Sequence, residues 1–230
     1  MAKRDARLDN PIWHALTGPH EHWAQVQGSL RWYPQDVAPF FAIPLAETAL
    51  EPDLPERIGL SACAYFVGVL PSLIPSGWQV HSRSEVLQMS YAGGAPLWEP
   101  SKHILLGPTD LPAMNALAGI AFPDFFRSRS AELGTFLGIY EGGRLVSMAG
   151  ERVAPLPGLQ ELSGICTHPD FTGRGYAAGL TRALIRRHYT LGWHSILHVS
   201  ASNTGARRLY ELLGFATVAT LPMIRIERAP

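Results

Sequence analysis

The sequence predicts an α/β fold, a mixed central sheet flanked by helices, and three features of its C-terminal half indicate this class. An apolar run that ends at Thr167 leads through a glycine-rich turn into a helical pattern that begins at Gly175. A second apolar run, 195–200, leads in the same way into a helical pattern at 203–213. A hairpin pattern precedes both, with Glu-Gly-Gly at 141–143 between two apolar runs. The two strand–helix units predict parallel strands and the hairpin predicts antiparallel ones, so the sheet is expected to be mixed.

The N-terminal part predicts a separate, irregular α+β domain. Residues 10–26 indicate a helix that a Gly-Pro pair interrupts, and the apolar run 60–70 indicates a buried strand. Between residues 91 and 103 a Gly-Gly pair and two prolines mark a change of pattern that is typical of a linker. We therefore predict a divergent domain at 1–100 and a second domain at 101–230.

The second domain has a regular order of predicted elements. Asp110 is a candidate N-cap for the first of its helices, and Pro112 lies in that helix's first turn. The predicted elements are a strand at 102–107, a helix at 109–122, a short helix at 125–133, the hairpin at 135–153, a strand at 161–167, a helix at 175–191, a strand at 195–200, a helix at 203–213 and a final pair of strands.

Composition and charge are those of an ordinary globular protein. Of the 230 residues, 47% are hydrophobic and 17% charged, which argues against a disordered or fibrous chain. The 19 basic and 19 acidic residues give a formal net charge of zero, so we expect no nucleic-acid partner.

The cysteines and the N-terminus predict a cytoplasmic protein. Cys63 and Cys166 both lie in apolar runs, which favours buried, reduced thiols over a disulfide. No apolar core follows the charged N-terminus, and no run approaches the ~18 apolar residues of a membrane span. We therefore expect no membrane partner.

The glycine-rich turn before the helix at 175–191 predicts a phosphate site. Such a turn directs several backbone N–H groups to one point, with the positive end of the helix dipole behind them. Gly173, Gly175 and Ala178 also satisfy the G-x-G-x-x-A pattern of nucleotide-dependent oxidoreductases. However, the strand that follows the helix ends in Val199, Ser200 and Ala201 without the acidic residue that such enzymes place there. A Gly-Lys-Ser/Thr phosphate loop is absent from the sequence.

Two motifs resemble those of the Gcn5-related N-acetyltransferase (GNAT) superfamily. That family's acyl-CoA loop reads Gln/Arg-x-x-Gly-x-Gly/Ala, and here Thr172 takes the place of the Gln or Arg. The corresponding residues are Thr172, Gly173, Arg174, Gly175, Tyr176 and Ala177. The second motif, Asn-x-x-Ala-x-x-Leu-Tyr-x-x-x-Gly-Phe, is met by Asn203, Ala206, Leu209, Tyr210, Gly214 and Phe215. The similarity covers residues 101–230 and is greatest to the FR47 or glycine N-acyltransferase-like branch.

The resemblance implies transfer of an acyl group from acetyl-CoA, or from another short acyl-CoA, to an amine. The cofactor contacts that it implies are Ile165, Cys166, Thr167, Thr172, Gly173, Arg174, Gly175, Tyr176, Ala177 and Asn203. Asn203 is also a favoured helix cap, and the two roles are compatible. Tyr210 matches the family's proton donor to the departing sulfur, and packing in the helix core is its alternative role. A backbone N–H near Ile165 or Cys166 is expected to stabilise the oxyanion.

The amine requires a base, because an aliphatic amine with a pKa of ~10.4 is protonated at neutral pH. Glu161 lies eleven residues before Thr172, the offset at which histone-acetylating members place their general base. Burial on an apolar strand is expected to raise its pKa toward neutrality. The alternative is a solvated glutamate at the start of the strand. We expect no metal, since His14, His20 and His22 lack a zinc-ligand spacing.

The expected function is thus an N-acetyltransferase that acts by direct attack in a ternary complex. The acceptor is a small-molecule, peptide or protein amine, and the N-terminal half, which in relatives can be a degenerate copy of the fold, shapes its pocket. Phe125, Phe126 and Tyr140 are candidates for the lining of that pocket, and packing in the hydrophobic core is their alternative role. The alternative from another class is a non-catalytic acyl-CoA sensor that kept the phosphate turn and lost turnover.

Overall fold

Eight strands form one mixed sheet in the described part of the chain. The structure is a computed structural model that describes residues 5–60, 63–96, 102–121, 123 and 125–229. The strands are β1 (Gln25–Gln27), β2 (Leu30–Trp32), β3 (Phe41–Ala42), β4 (Ala64–Val67), β5 (Trp78–Tyr91), β6 (Ile104–Leu105), β7 (Phe136–Glu141), β8 (Arg144–Glu151), β9 (Leu159–Thr167), β10 (His194–Ser200) and β11 (Phe215–Arg228). The helices are α1 (Pro11–Leu16), α2 (Leu54–Arg57), α3 (Leu111–Ala121), α4 (Tyr176–Thr190) and α5 (Thr204–Leu212).

The large sheet has the strand order β4-β11-β5-β10-β9-β8-β7-β6. Strands β9 and β10 are parallel, and the other neighbours are antiparallel. Strands β1, β2 and β3 form a small antiparallel sheet of their own. The predicted class, an α/β fold with a mixed sheet flanked by helices, is confirmed. This order differs from the parallel, doubly wound sheet that an oxidoreductase of the Rossmann type requires.

The N-terminal part supplies a central strand of this sheet. Strand β5 lies between β11 and β10, and β4 pairs with the other edge of β11. Strands from both sides of residue 100 therefore share one sheet, and the boundary expected there does not divide it. Residues 97–101 of the expected linker at 91–103 lie outside the described residues.

The final pair of strands predicted after helix α5 is wrong. One strand, β11, takes the whole segment from Phe215 to Arg228, and it pairs with β5 from the N-terminal part. Pro222 does not interrupt β11, because its carbonyl accepts a hydrogen bond from the Gly68 amide. In an antiparallel strand the N–H and C=O of one residue point to the same neighbouring strand. Since the Pro222 carbonyl points to β4, the N–H that proline lacks would also have pointed there, and no bond to β5 is lost.

Hydrophobic cores cover both faces of the sheet, and one of them, the core under α3, includes Met114 and Phe136. Two others cover opposite faces. The helix core includes Leu162, Leu180, Leu184 and Leu197 and lies under α4 and α5. The N-terminal core includes Ile12, Tyr33, Phe40, Tyr65 and Val86 and lies under α1 and the segment that follows it. Val86 and its neighbour Leu87 belong to different cores, as expected for successive residues of a strand.

Several other elements are shorter than the sequence predicts. The helix expected at 10–26 is confined to α1 and a 3₁₀ turn at Glu21–Trp23, since Gly18 and Pro19 do not continue a helix. The short helix expected at 125–133 is a 3₁₀ turn at Ser130–Leu133. Strand β6 keeps only two residues of the expected strand at 102–107. The described residues include no helix long and apolar enough to cross a membrane.

A buried hydrogen-bonded cluster fixes the C-terminal end of α4 to the sheet. The Nε2 atom of His188 lies 3.0 Å from Glu151 on β8, and its Nδ1 atom lies 2.8 Å from the hydroxyl of Ser195 on β10. His188 and Ser195 are almost completely buried, so this Ser–His–Glu arrangement is out of reach of a substrate. These bonds fix the C-terminal end of α4, and the first turn of the helix, at its other end, adjoins the glycine-rich turn.

Candidate active site

Strands β9 and β10 separate before either of them ends. Their ladder runs from the pair Leu159–His194 to the pair Leu162–Leu197, whereas β9 continues to Thr167 and β10 to Ser200. Gly164 has a φ of 60°, and the register of β9 against β8 shifts beside it. Such a bulge bends the strand away from its neighbour. The result is a gap between the carboxyl ends of two parallel strands, the usual place for a ligand in an open α/β sheet.

Backbone amides of β9 face this gap. The His168 amide donates to the Val146 carbonyl on β8, so residue 168 faces away from the gap. Alternate residues of a strand turn their N–H groups to opposite edges, which directs the amides of Thr167 and Ile165 into the gap and that of Cys166 toward β8. Of the two oxyanion donors expected from the sequence, the Ile165 amide is therefore the one directed to the gap.

The glycine-rich turn has the open geometry that an anion requires. Gly173 and Gly175 adopt φ angles of 75° and 77°, and a Cβ atom on either would meet nothing within 4 Å. Gly175 is the N-cap of α4, so the unpaired amides of the helix's first turn and its positive dipole end lie here. Thr172 turns inward, since its hydroxyl and its amide both donate to the Pro169 carbonyl. Thr172 thus stabilises the turn instead of offering a long side chain, as a Gln or Arg would.

Two cationic side chains, Lys102 and Arg174, and the carboxylate of Glu141 lie beside this turn. The guanidinium of Arg174 stacks 4.7 Å from the ring centre of Phe171, which holds it beside the turn. A cavity of about 620 Å³ opens there and is lined by Lys102, His103, Arg174, Gly175 and Tyr176, among others. The Tyr176 hydroxyl donates to Glu141 over 2.7 Å.

A second cavity of about 480 Å³, which we call the central cavity, is lined from both faces of the sheet. Ile165, Ala206 and Tyr210 line it from the helix core, and Asn203 joins them. Ile12, Phe40, Tyr65 and Phe125 line it from the N-terminal core. The central cavity therefore connects the two faces next to the gap between β9 and β10.

Seven of the twelve predicted site residues line one of these two cavities. Glu161, Ile165, Asn203 and Tyr210 meet at the central cavity. Arg174, Gly175 and Tyr176 line the cavity beside the turn. The thiol of Cys166 is buried in the core under α3, where burial raises its pKa to about 12. Both cysteines are free thiols, as expected; Cys166 is buried and Cys63 only partly so. The Thr167 hydroxyl lies 2.8 Å from that of Ser147.

Tyr210 combines a buried ring with a free hydroxyl. Its ring packs edge-on against Phe215 at 6.2 Å in the helix core. Among the residues that the structure describes, none forms a hydrogen bond with the hydroxyl, although the side chain lines the central cavity. Burial, with a smaller contribution from Cys166, raises the pKa of Tyr210 to about 12. The phenol therefore keeps its proton at neutral pH and is able to donate it.

Asn203 has the capping role that the sequence predicts. Its side-chain oxygen accepts a hydrogen bond of 3.0 Å from the Ala206 amide in the first turn of α5. This bond fixes the start of the helix that carries Tyr210. The contact of Asn203 with a cofactor stays a prediction.

Glu161 is buried and paired, and the expectation that its pKa is raised is wrong. Its two carboxylate oxygens accept hydrogen bonds of 3.2 and 3.1 Å from Arg152, and its Oε1 atom lies 2.9 Å from Nδ1 of His198. Burial favours the neutral carboxyl, but the charge of Arg152 and the bond from His198 outweigh burial and lower the pKa to about 2. Glu161 therefore stays ionised and does not hold a proton near neutral pH, and it is not the solvated strand start of the alternative either.

His198 is held as one tautomer by its neighbours. The Gln88 amide nitrogen lies 3.1 Å from the Leu8 carbonyl, which only accepts hydrogen bonds. The same nitrogen lies 2.9 Å from Nε2 of His198, so Nε2 is an acceptor. The proton of the neutral ring is then on Nδ1, where it donates to Glu161. The imidazole of His198 thus lines the central cavity with the ionised carboxylate of Glu161 behind it.

Sequence reasoning missed Arg152, His198 and Gln88. Each is a polar residue among apolar ones on or beside a strand of the sheet, and each is at least partly buried. That pattern was a signal, because buried polar side chains require partners. The partners themselves follow only from the sheet, in which Glu161 is opposite Ile196 of β10 and Gln88 is opposite His198.

Comparisons with known proteins identify similar sequences and folds. The sequence pattern of the family described as FR47-like protein matches residues 136–221. A structure from Novosphingobium aromaticivorans, assigned as an acetyltransferase of the GNAT family, is 35% identical, with a TM-score of 0.86 over 98% of this chain and 100% of that chain. A GCN5-related N-acetyltransferase from Kribbella flavida is 19% identical, with a TM-score of 0.62 over 100% of this chain and 97% of that one. A GNAT-family acetyltransferase from Colwellia psychrerythraea is 13% identical, with a TM-score of 0.56 over 97% of this chain and 98% of that one. No curated protein matches the sequence.

Proposed function

The chain belongs to the GNAT superfamily of acyltransferases, in its FR47-like branch, and on this premise we propose that it moves an acetyl group from acetyl-CoA to a primary amine. The transfer proceeds by direct attack in a ternary complex. One observation supports this most strongly: the central cavity is lined from both faces of the sheet at the point where β9 and β10 separate. Donor and acceptor then approach each other from opposite faces, and Tyr210 lines the cavity where they meet.

The residues around the turn suit the diphosphate of acetyl-CoA. The amides at the start of α4 and the guanidinium of Arg174 offer donors to phosphate oxygens, and the absence of side chains at Gly173 and Gly175 leaves room for them. The exposed edge of β9 from Ile165 to Thr167 suits the amides of the pantetheine arm. In this proposal the Ile165 amide stabilises the oxyanion that forms from the thioester carbonyl.

Two side chains move protons in the proposed reaction. The protonated amine loses a proton to Nε2 of His198, which exchanges its hydrogen bond from Gln88 for one from the amine, while the carboxylate of Glu161 accepts from Nδ1–H and stabilises the imidazolium. Glu161 is thus a positioning residue instead of the base. The amine nitrogen then bonds to the thioester carbon, the carbon–sulfur bond breaks, and Tyr210 donates its proton to the departing sulfur. The second proton that the nitrogen loses on becoming an amide passes to the Tyr210 phenolate and restores the phenol.

Calorimetric titration with acetyl-CoA, followed by thiol release against a panel of amines, tests the proposal. Binding of acetyl-CoA and amine-dependent release of thiol are the expected results, with NAD as the control ligand that does not bind. Binding without release by any amine would favour the acyl-CoA sensor over the enzyme. Absence of acetyl-CoA binding would overturn both the enzyme and the acyl-CoA sensor.

Replacement of Tyr210 by phenylalanine is expected to lower kcat about 10- to 100-fold and to leave the Kd for acetyl-CoA within about 2-fold. The effect is moderate because a thiolate with a conjugate pKa of ~8.5 departs with little help. Single-turnover thiol release and calorimetry measure the two quantities. Tyr189→Phe, on the exposed side of α4, is the matched control. An unchanged kcat in folded Tyr210→Phe protein would remove the proton-donor role.

Replacement of Arg174 by alanine is expected to weaken acetyl-CoA binding about 10-fold, since one charge-assisted contact to phosphate is lost. The difference in Kd for acetyl-CoA between Arg174→Ala and the wild type should decrease as the ionic strength rises, because salt screens exposed charges. The control is Arg186→Ala, ten residues after Tyr176, the first residue of α4, and therefore about 15 Å along the helix from its start. Equal losses of affinity in the two variants would contradict a specific role for Arg174.

A further inference from the structure

The acceptor side of the central cavity has a distinct chemistry, and this inference rests on the proposed function. Phe40, Tyr65 and Phe125 form what we call the aromatic wall. Tyr65 and Phe125 stack with ring centres 4.6 Å apart, and Phe40 lies 6.4 Å from the first and 6.5 Å from the second. All three line the cavity from the N-terminal core, on the face opposite α4 and α5.

The charged groups that line the central cavity disfavour an acceptor with a second positive charge. Its described lining includes two guanidinium groups, Arg152 and Arg225, and a single carboxylate, Glu161. Both oxygens of that carboxylate are already bonded to Arg152, and His198 bonds to one of them. An acceptor with two ammonium groups would therefore bring a charge for which the described lining offers no unpaired carboxylate.

We propose that the acceptor is a small primary amine that carries an apolar, ring-sized group and no second positive charge. The amine lies by His198, and the ring packs against the aromatic wall, where its surface leaves water. The cavity volume of about 480 Å³ is in the range of small-molecule pockets. A polyamine brings the second charge that the lining opposes, and the lysine side chain of a protein lacks the ring that would pack against the aromatic wall.

The test compares kcat/KM, from thiol release at saturating acetyl-CoA, for 2-phenylethylamine, ethylamine, putrescine and a lysine-containing peptide. Burial of a phenyl ring predicts a kcat/KM for 2-phenylethylamine about 10- to 100-fold above that for ethylamine. Putrescine and the peptide are expected to fall below ethylamine. A kcat/KM for ethylamine, putrescine or the peptide that equals or exceeds that for 2-phenylethylamine would overturn the inference and leave the proposed function standing.

Two neighbouring phenylalanines provide a matched pair of variants. Phe125→Leu should lower the ratio of the 2-phenylethylamine value to the ethylamine value by at least about 5-fold, because the ring loses its stacking partner. Phe126→Leu should keep the ratio, since Phe126 packs against Phe136 in the core under α3. Equal ratios in the two variants would contradict the role of the aromatic wall.

If no amine releases thiol, calorimetric titration of the CoA-bound protein with each amine tests the proposed acceptor site separately from the proposed acyl transfer. Tighter binding of 2-phenylethylamine than of ethylamine would then support the acceptor site and overturn the proposed transfer. Equal or absent binding of the two amines would overturn the acceptor site as well.

Discussion

Replacement of Gly175 by aspartate is expected to abolish measurable acetyl-CoA binding, with a Kd weakened at least about 100-fold. Gly175 caps α4 with a φ of 77°, and a side chain there would project into open space within the turn. An aspartate would place a carboxylate where phosphate is proposed to bind, and like charges in contact cost several kcal/mol. Aspartate tolerates left-handed φ angles better than most residues, so the variant should fold.

Gly192→Asp is the matched control for this variant. Gly192 follows the other end of α4 with a φ of 70°, and a Cβ atom there would also meet nothing within 4 Å. The substitution adds the same charge in the same backbone conformation, away from the turn. Calorimetry should show an unchanged Kd for Gly192→Asp and no heat of binding for Gly175→Asp. An unchanged affinity in Gly175→Asp would remove the phosphate assignment of the turn.

Local sequence signals were sufficient for the elements that surround the gap. The glycines before α4, the cap at Asn203 and the hairpin turn at 142–143 each act within a few residues, so their structures follow from the residues themselves. The position of Tyr210 at the cavity follows from the helix that Asn203 begins.

Local sequence signals do not predict which strands pair over a long separation in the chain. Strand β5 pairs with β11 from Trp78–Arg228 to Tyr91–Phe215, across more than a hundred residues of chain. Nothing in the pattern of either strand identifies the other, because an apolar strand pairs with many partners. The boundary expected near residue 100 rested on composition, which reports flexibility of the chain and not pairing.

The environment of Glu161 depended on the same long-range information. Its position on a buried strand was predicted, and burial alone raises a carboxyl pKa. The opposite result comes from Arg152, which follows β8, and from His198 on β10. These groups come together only in the folded sheet, so sequence reasoning obtained the location of Glu161 and the wrong sign of its pKa shift.

Replacement of Arg152 by methionine is expected to destabilise the protein by about 3–5 kcal/mol, the usual result of removing one partner of a buried ion pair. Both groups are buried, at 8% exposure for Arg152 and 1% for Glu161. Methionine keeps an apolar contact with Phe40, over whose ring the guanidinium lies at 4.7 Å. Urea unfolding at pH 7, followed by tryptophan fluorescence, measures the change. Arg57→Met, which breaks an exposed pair with Glu51, should cost less than about 1 kcal/mol.

The pH dependence of stability provides a second readout of this pair. The pKa of Glu161 is lowered from 4.5 to about 2, so its contribution is fully present above pH 4.5 and is lost as the pH falls toward 2. The shift corresponds to about 3 kcal/mol. Wild-type stability should therefore decrease between pH 5 and pH 2, and the decrease should be smaller in Glu161→Gln. An equal decrease in the two proteins would mean that other carboxylates, such as Glu151, account for the acid lability.

The double variant Arg152→Met/Glu161→Gln tests whether the loss of stability in Arg152→Met comes from the unpaired carboxylate of Glu161. If the large loss in Arg152→Met comes from an unpaired buried carboxylate, neutralising that carboxylate should recover at least about 2 kcal/mol, so the two changes are strongly non-additive. His198 would then donate Nδ1–H to a neutral amide oxygen, and the cavity would keep its shape while the proposed stabilisation of the imidazolium is lost. Recovered stability together with a kcat still reduced would assign Glu161 to catalysis through His198, whereas additive losses of stability would contradict the ion pair itself.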